Sequence, residues 1–217
     1  MTAPPIVFVV DDDDSVRRAV ERVIASVGLD VCSFANPTAF FAQPLPDRPA
    51  CLVLDLRLPG ASGLAVQERL AAEGTDIPIV FLTGHADVAT SVQAMKAGAV
   101  DFLQKPVDDQ RVIDAVQGAL AGAARRWEAR VERARIAALV DTLTPREREV
   151  LSLIVTGLPN KLVADQLGAA EKTIKVHRAR VMEKMKASSL AELVVMARLV
   201  GIGGDAKPGE SVPPPGQ

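Results

Sequence analysis

Five short apolar runs, at residues 6–10, 29–34, 51–54, 77–82 and 100–103, alternate with amphipathic segments through the first half of the chain. Each run is about 4–6 residues long and rich in Val, Ile and Leu, the pattern of a strand buried on both faces. The segments between and after them, at 15–27, 37–41, 64–73, 88–97 and 109–121, carry helix-like spacing. Strand then helix, repeated five times, predicts a parallel sheet covered on both faces, and right-handed crossovers leave few topologies. A length of 217 residues leaves room for a second, smaller domain.

Charge divides the chain in the same way. Residues 1–118 hold 9 Lys and Arg against 16 Asp and Glu, whereas residues 142–200 hold 10 against 6. An acidic front and a basic back predict two modules with different partners. No apolar run approaches the roughly 18–20 residues that cross a bilayer, so no membrane association is expected. The first apolar run stops at four aspartates, which does not suit a secretory leader. Two cysteines make no disulfide framework, so a cytoplasmic, reducing location is expected.

Between the modules, Leu120, Ala124, Trp127, Val131, Ala134 and Ala138 follow alternating spacings of four and three. That period makes a seam along one side of a helix. The segment 119–141 is read as a helical linker, either pairing with a second copy or extending the fifth helix in solvent. The tail 201–217 is rich in Gly and Pro, a composition expected to be disordered.

Residues 142–200 show no strand pattern. Thr144 and Glu147 are spaced as a capping box, with Pro145 at the first helical position. Val150, Leu151, Ile154 and Val155 form an apolar stripe that ends at Gly157. Short and longer helices are predicted over 161–167 and 171–186, and Ser189 with Glu192 is spaced as a second capping box. At 100° per residue, Ile174, Val181 and Met185 share an inward stripe on the longer helix. Lys172, Val176 and Arg180 then point outward, Thr173, Lys175 and His177 flank them, and Arg178 lies near the core edge. A later helix with such a face suits the DNA major groove, the cations reaching phosphates. His177 is equally read as a structural histidine.

The acidic front also carries a pattern at strand ends. Asp11 and Asp12 follow the first run, Asp55 the third, Thr83 the fourth and Lys105 the fifth. Strands of a parallel sheet point one way, so these groups converge on one carboxyl-edge crevice. Three clustered carboxylates favour a hard cation such as Mg²⁺, one carboxylate is available as a nucleophile, and Lys and Thr suit phosphoryl oxygens.

Residues 6–118 resemble a two-component response-regulator receiver domain. The matching stretches are Val9-Val10-Asp11-Asp12, Leu54-Asp55-Leu56-Arg57-Leu58-Pro59-Gly60, Leu82-Thr83-Gly84-His85 and Lys96-Ala97-Gly98 through Lys105-Pro106. The resemblance implies a flavodoxin-like α/β fold with five parallel strands in the order 2-1-3-4-5. It implies Asp55 as phosphoacceptor, with Mg²⁺ held by Asp12, Asp55 and the backbone carbonyl of Arg57, and by Asp11 mostly through water. Lys105 and Thr83 would bind phosphoryl oxygens, and a cis bond before Pro106 would aim the lysine. Phe102 would be the switch aromatic on the fifth strand, acting by packing because the chain has no Tyr. Arg57 and His85 occupy positions that tune dephosphorylation in the family.

Residues 144–199 resemble the LuxR-type helix-turn-helix domain, a small all-α fold. The stretches are Leu143-Thr144-Pro145-Arg146-Glu147-Arg148-Glu149-Val150-Leu151, Gly157-Leu158-Pro159-Asn160-Lys161, and Thr173-Ile174-Lys175-Val176-His177-Arg178 with Met182-Glu183-Lys184-Met185. The resemblance adds Asn160 and Lys161 to the expected DNA-contacting set. Ala170 departs from the family, which often has a capping Ser or Thr there.

Together the modules resemble the FixJ/NarL class: a receiver at 1–118, a linker at 119–141 and a reader at 142–200. That implies a transcriptional regulator, phosphorylated on Asp55 by a cognate histidine kinase and dimerising to bind promoter DNA. A receiver catalyses its own phosphorylation but does not turn over an outside substrate. The enzyme alternative, an Asp-nucleophile phosphatase, needs an acid Asp two residues after Asp55, where this chain has Arg57. A regulator independent of phosphorylation is opposed by the complete Asp12, Asp55, Thr83 and Lys105 set.

Overall fold

The computed structural model describes residues 4–84 and 88–203. The chain divides into two compact units, Met1–Glu128 and Ala129–Gln217. The proposed tuning residue His85 and most of the tail, 204–217, lie outside the described residues.

In the first unit, strands β1 (Ile6–Val10), β2 (Asp30–Phe34), β3 (Ala50–Leu54), β6 (Ile79–Thr83) and β7 (Asp101–Gln104) form one sheet in the order β2-β1-β3-β6-β7. Every pairing is parallel. Counting only these five strands, the order is 2-1-3-4-5, as expected. The period-2 alternation of side chains splits each strand between two cores. Phe8, Val10, Leu52, Leu54 and Phe81 face one way and pack with Phe40 of α2 (Pro37–Phe41) and Val66 and Leu70 of α3 (Gly63–Ala72). Ala94 of α4 (Val88–Lys96) joins that side. Val7, Val9, Val53, Val80 and Leu82 face the other way, against Val20 and Ile24 of α1 (Asp14–Ser26) and Val112 and Val116 of α5 (Asp109–Asp141).

Strand limits differ slightly from the sequence expectation. The fourth strand begins at Ile79 rather than at 77, because its pairing register starts with Leu52 opposite Ile79. Pro78, just before it, has no N–H to give to a ladder. A feature with no sequence signal is the antiparallel pair β4 (Arg57–Leu58) and β5 (Ala61–Ser62), joined through Pro59 and a Gly60 at φ 78°. Strands of two residues are too short to show a period.

Helix α5 is continuous over 33 residues, so the fifth helix does not stop near 121. Its face changes along its length. Leu120 of the expected seam is buried, but Val131 is 41% exposed. In the second unit the residue that α5 buries is Ile136, fully enclosed, with Leu139 and Val140 beside it. The alanines of the seam offer little area there, and the larger side chain takes the core.

The second unit consists, beyond the last turns of α5, of α6 (Pro145–Ile154), α7 (Asn160–Leu167), α8 (Glu171–Lys184) and α9 (Leu190–Leu199). Val150, Leu151, Ile154, Ile174, Val181 and Met185 are all fully buried, which agrees with the inward stripes read from the sequence. Thr144 forms both halves of its capping box with Glu147. The second box forms only in part. Ser189 accepts from the Glu192 N–H at 3.2 Å, but the Glu192 carboxylate reaches one residue further back, accepting from the N–H and hydroxyl of Ser188. Helix α8 ends at Lys184 instead of 186, since Lys186 takes a left-handed φ of 54°. Among the described residues, no helix is long and apolar enough to cross a membrane.

Gly63, at the start of α3, sits where the chain passes closest to the end of β3. A Cβ there would lie 2.5 Å from the backbone oxygen of Asp55 and 2.9 Å from Cα of Leu56. Gly63→Ala is therefore expected to destabilise the first unit by about 1–3 kcal/mol, as overpacking against rigid backbone does. Thermal denaturation followed by circular dichroism reads the loss.

Candidate functional site

Parallel register brings the ends of β1, β3, β6 and β7 to one edge. Val10 pairs with Leu54, so Asp11 and Asp55, the next residues, emerge side by side. Thr83 pairs with Gln104, so Lys105 follows directly beside Thr83, whose carbonyl accepts the Lys105 N–H at 2.8 Å. The Lys105–Pro106 bond is cis. Lys105 Nζ donates to Asp11 Oδ2 at 2.6 Å and to Asp55 Oδ2 at 2.7 Å. Asp55 Oδ1 accepts the Arg57 N–H at 3.0 Å, and Asp11 Oδ1 accepts the Asp13 N–H at 2.9 Å.

Asp11 and Asp55 are buried and Asp12 is exposed, with one carboxylate oxygen of each lying within 4.8 Å of the others. Burial raises the pKa of Asp11 above the ordinary carboxylate value, against the hydrogen bonds from Lys105 and Asp13. Burial works against the charge of Lys105 as well, but the hydrogen bonds and charges of Asp11 and Asp55 outweigh it and its pKa is raised. Three carboxylates against one ammonium leave a local excess of negative charge. An all-oxygen donor set with that excess suits a hard divalent cation. Thr83 is buried at the same edge. Phe102 is half-buried on β7, its ring centroid 6.0 Å from that of Phe81 on the neighbouring strand. Arg57 is exposed within β4.

On the second unit, Lys172, Thr173, Lys175, Val176 and Arg180 of α8 are exposed, and His177 and Arg178 are half-buried. Val176 is 46% exposed, an apolar contact surface among cations. Lys161 is exposed in the first turn of α7, and the half-buried Asn160 beside it accepts a hydrogen bond from Arg178 Nη1 at 3.1 Å. Lys175 pairs with Glu171 at 3.2 Å within α8. His177 Nδ1 is buried with no hydrogen-bond partner among the described residues. Ala170 stands at the N-cap of α8 and gives no side-chain cap.

Sequence reasoning did not find what holds α8 in place. Buried Glu147 accepts from Lys184 Nζ at 2.6 Å and from the Thr144 N–H at 2.9 Å, and Lys184 also donates to the Thr142 carbonyl at 3.2 Å. One carboxylate thus caps α6 and anchors the last turn of α8. The Lys184 hydrogen bond, then that of the Thr144 backbone, holds the Glu147 pKa down at about 2. Glu147 was legible only as a capping residue, because its distant partner has no sequence signal.

Residues 7–117 match the response regulator receiver domain family, and residues 141–197 match the bacterial regulatory proteins of the luxR family. This chain belongs to the response regulators that join a receiver to a LuxR-type DNA-binding domain. It is similar to nodulation protein W of Bradyrhizobium diazoefficiens, at 49% identity over 91% of this chain and 87% of that protein. It is also similar to the transcriptional regulatory protein FixJ of Azorhizobium caulinodans, at 43% identity over 90% of this chain and 93% of that protein. The solved structure of the response regulator StyR, 45% identical, has a TM-score of 0.82 over 90% of this chain and 99% of its own. The protein is accordingly a transcriptional response regulator and not a conventional enzyme.

Two expectations concern the LuxR-type domain. The folded pKa of Glu147 lies below its unfolded value near 4.5, so its stabilisation is present above pH 4.5 and lost as pH falls towards 2. Glu147→Gln is expected to cost about 1–3 kcal/mol at pH 7, the partly exposed lysine limiting the effect. Urea unfolding of variant and wild type is expected to converge as the pH falls through that window. Ala170→Ser is expected to supply the absent cap and stabilise α8 by about 1 kcal/mol. Slower hydrogen exchange in the first turn of α8 is the readout.

Proposed function

We propose that this response regulator is switched by phosphorylation of Asp55 by a cognate histidine kinase, and that the phosphorylated form dimerises to bind promoter DNA. The observation that carries this is Lys105 Nζ bridging Asp11 and Asp55 at the carboxyl edge of the sheet. The acceptor carboxylate is held in place by the Arg57 N–H and keeps an ammonium beside it for the incoming charge.

The reaction moves one phosphoryl group. A carboxylate oxygen of Asp55 forms a bond to phosphorus, the P–N bond to the kinase histidine breaks, and the imidazole leaves with the electron pair and takes up a proton. Asp12, Asp55 and the carbonyl of Arg57, with Asp11 mostly through water, would hold Mg²⁺, which would supply the positive charge that lets an anion approach the carboxylates. Lys105 exchanges part of its contact with Asp55 for a phosphoryl oxygen, and the Thr83 hydroxyl donates to another. Thr83 moving inward changes the packing around Phe102 and so the surface of α4 and β7. This is a local charge change biasing a bistable element. The protein promotes its own phosphorylation and does not turn over an outside substrate.

In this reading the receiver spans 1–118, a helical linker 119–141 and the reader 142–200. Lys161, Lys172, Lys175, His177, Arg178 and Arg180 serve as phosphate contacts, while Thr173 and Val176 face base edges. Asn160 holds the Arg178 guanidinium. A two-fold dimer then matches two half-sites of a palindrome.

Incubation with acetyl phosphate and Mg²⁺ is expected to label wild type and leave Asp55→Asn unlabelled, with the phosphate-dependent gain in DNA affinity lost in the variant. Labelling of the variant at the wild-type level would mean that another residue is the acceptor.

A further inference from the structure

Helix α4 is weakly held by apolar packing. Its one buried residue is Ala94, while Val88 is 81% exposed and Val92 and Met95 are each 45% exposed. A polar group holds its end instead. Gln67 of α3 is buried, and its Nε2 donates to the Ala94 carbonyl at 3.2 Å and to the Ala97 carbonyl at 3.1 Å. Backbone bonds already turn the chain at this end, the Ala94 carbonyl accepting the Ala99 N–H at 3.1 Å and the Met95 carbonyl the Gly98 N–H at 3.0 Å, and Gln67 adds a second bond to Ala94 and one to Ala97 from a neighbouring helix. Both amide hydrogens are used. The Oε1 of Gln67 is buried with no hydrogen-bond partner among the described residues. A buried, half-satisfied carboxamide is costly compared with an aliphatic side chain of the same size, so fold stability alone does not account for it.

We propose that Gln67 is a positioning residue for the switch: it pins the C-terminal end of α4, so that the helix moves as a rigid body about that end. The inference rests on the reading that phosphorylation at Asp55 acts through Thr83 and the α4 surface. A helix gripped at one end and loosely packed elsewhere converts a small displacement near Thr83 into a defined movement of its exposed face. Without the pin, the same displacement is dissipated in fraying of the last turn.

Gln67→Met keeps the length of the side chain and removes the donors. Gln67→Glu keeps its shape and places carboxylate oxygens against the two carbonyls. Three quantities are compared in the full chain: labelling by acetyl phosphate with Mg²⁺, exchange of the Ala97, Gly98 and Ala99 amides, and the ratio of DNA affinities with and without phosphodonor. In both variants labelling is expected to match wild type, the three amides to exchange faster, and the affinity ratio to shrink by about threefold or more. A merely structural role would leave that ratio unchanged. If either variant keeps the wild-type ratio, or if the amides stay protected in both, the pin is overturned while the phosphorylation reading stands. A wild type that takes no label, or gains no affinity on labelling, overturns that reading and the pin with it.

Discussion

The ammonium of Lys105 lies between two buried carboxylates, and the receiver site is organised around that contact. Asp11, Asp12 and Asp55 repel one another, and a repulsion of this kind is stronger in a partly desolvated crevice than in water. The lysine offsets part of it and leaves the rest. The residues before Asp11 and Asp55 are paired in a parallel ladder, which keeps these two side chains on one edge. The remaining negative charge suits a divalent cation, and in the proposed reading the ammonium offsets the charge of an incoming phosphoryl group.

The second unit uses a buried carboxylate to the opposite end. Glu147 is compensated by Lys184 and by the backbone N–H of the N-cap residue Thr144, and its pKa is held down at about 2. Asp11 is less compensated, and burial raises its pKa. A satisfied carboxylate gives a rigid platform, here for the last turn of a helix that presents Lys, Arg and Val to solvent. An incompletely satisfied one keeps affinity for a ligand that has yet to arrive. The same side-chain chemistry is thus matched by partners in one unit and left partly unmatched in the other.

Helix α4 stands between these extremes. Its exposed valines and single buried alanine give it little apolar anchorage, and elements that move in switching are drawn from such weakly packed regions. Gln67 sets a limit on that freedom at one end only. Phe102, half-buried against Phe81, lies at the margin of the same core.

Much of this was legible in the residues alone. Alternating apolar runs specified a parallel sheet, and a carboxylate, threonine or lysine at a strand's end then had one edge on which to appear. Helical periodicity placed Ile174, Val181 and Met185 inward and Lys172, Val176 and Arg180 outward, because a helix has one repeat and one buried side. Local spacing failed where the deciding partner was distant or the element very short. The two-residue strands β4 and β5 have no period, the closeness of Gly63 to the Asp55 carbonyl is a packing distance, and Ile136 displaced the expected alanine seam by filling a core that other helices build. The Glu192 carboxylate went to Ser188 instead of Ser189, a choice between neighbours that spacing does not separate. The sequence by itself determined the fold class, the edge on which the acidic site forms and the face of the reading helix, since all three follow from periodicity. Only the tertiary structure decided that Lys105 bridges Asp11 and Asp55, that Lys184 anchors on Glu147 and that Gln67 holds α4, since each joins residues that only packing brings together.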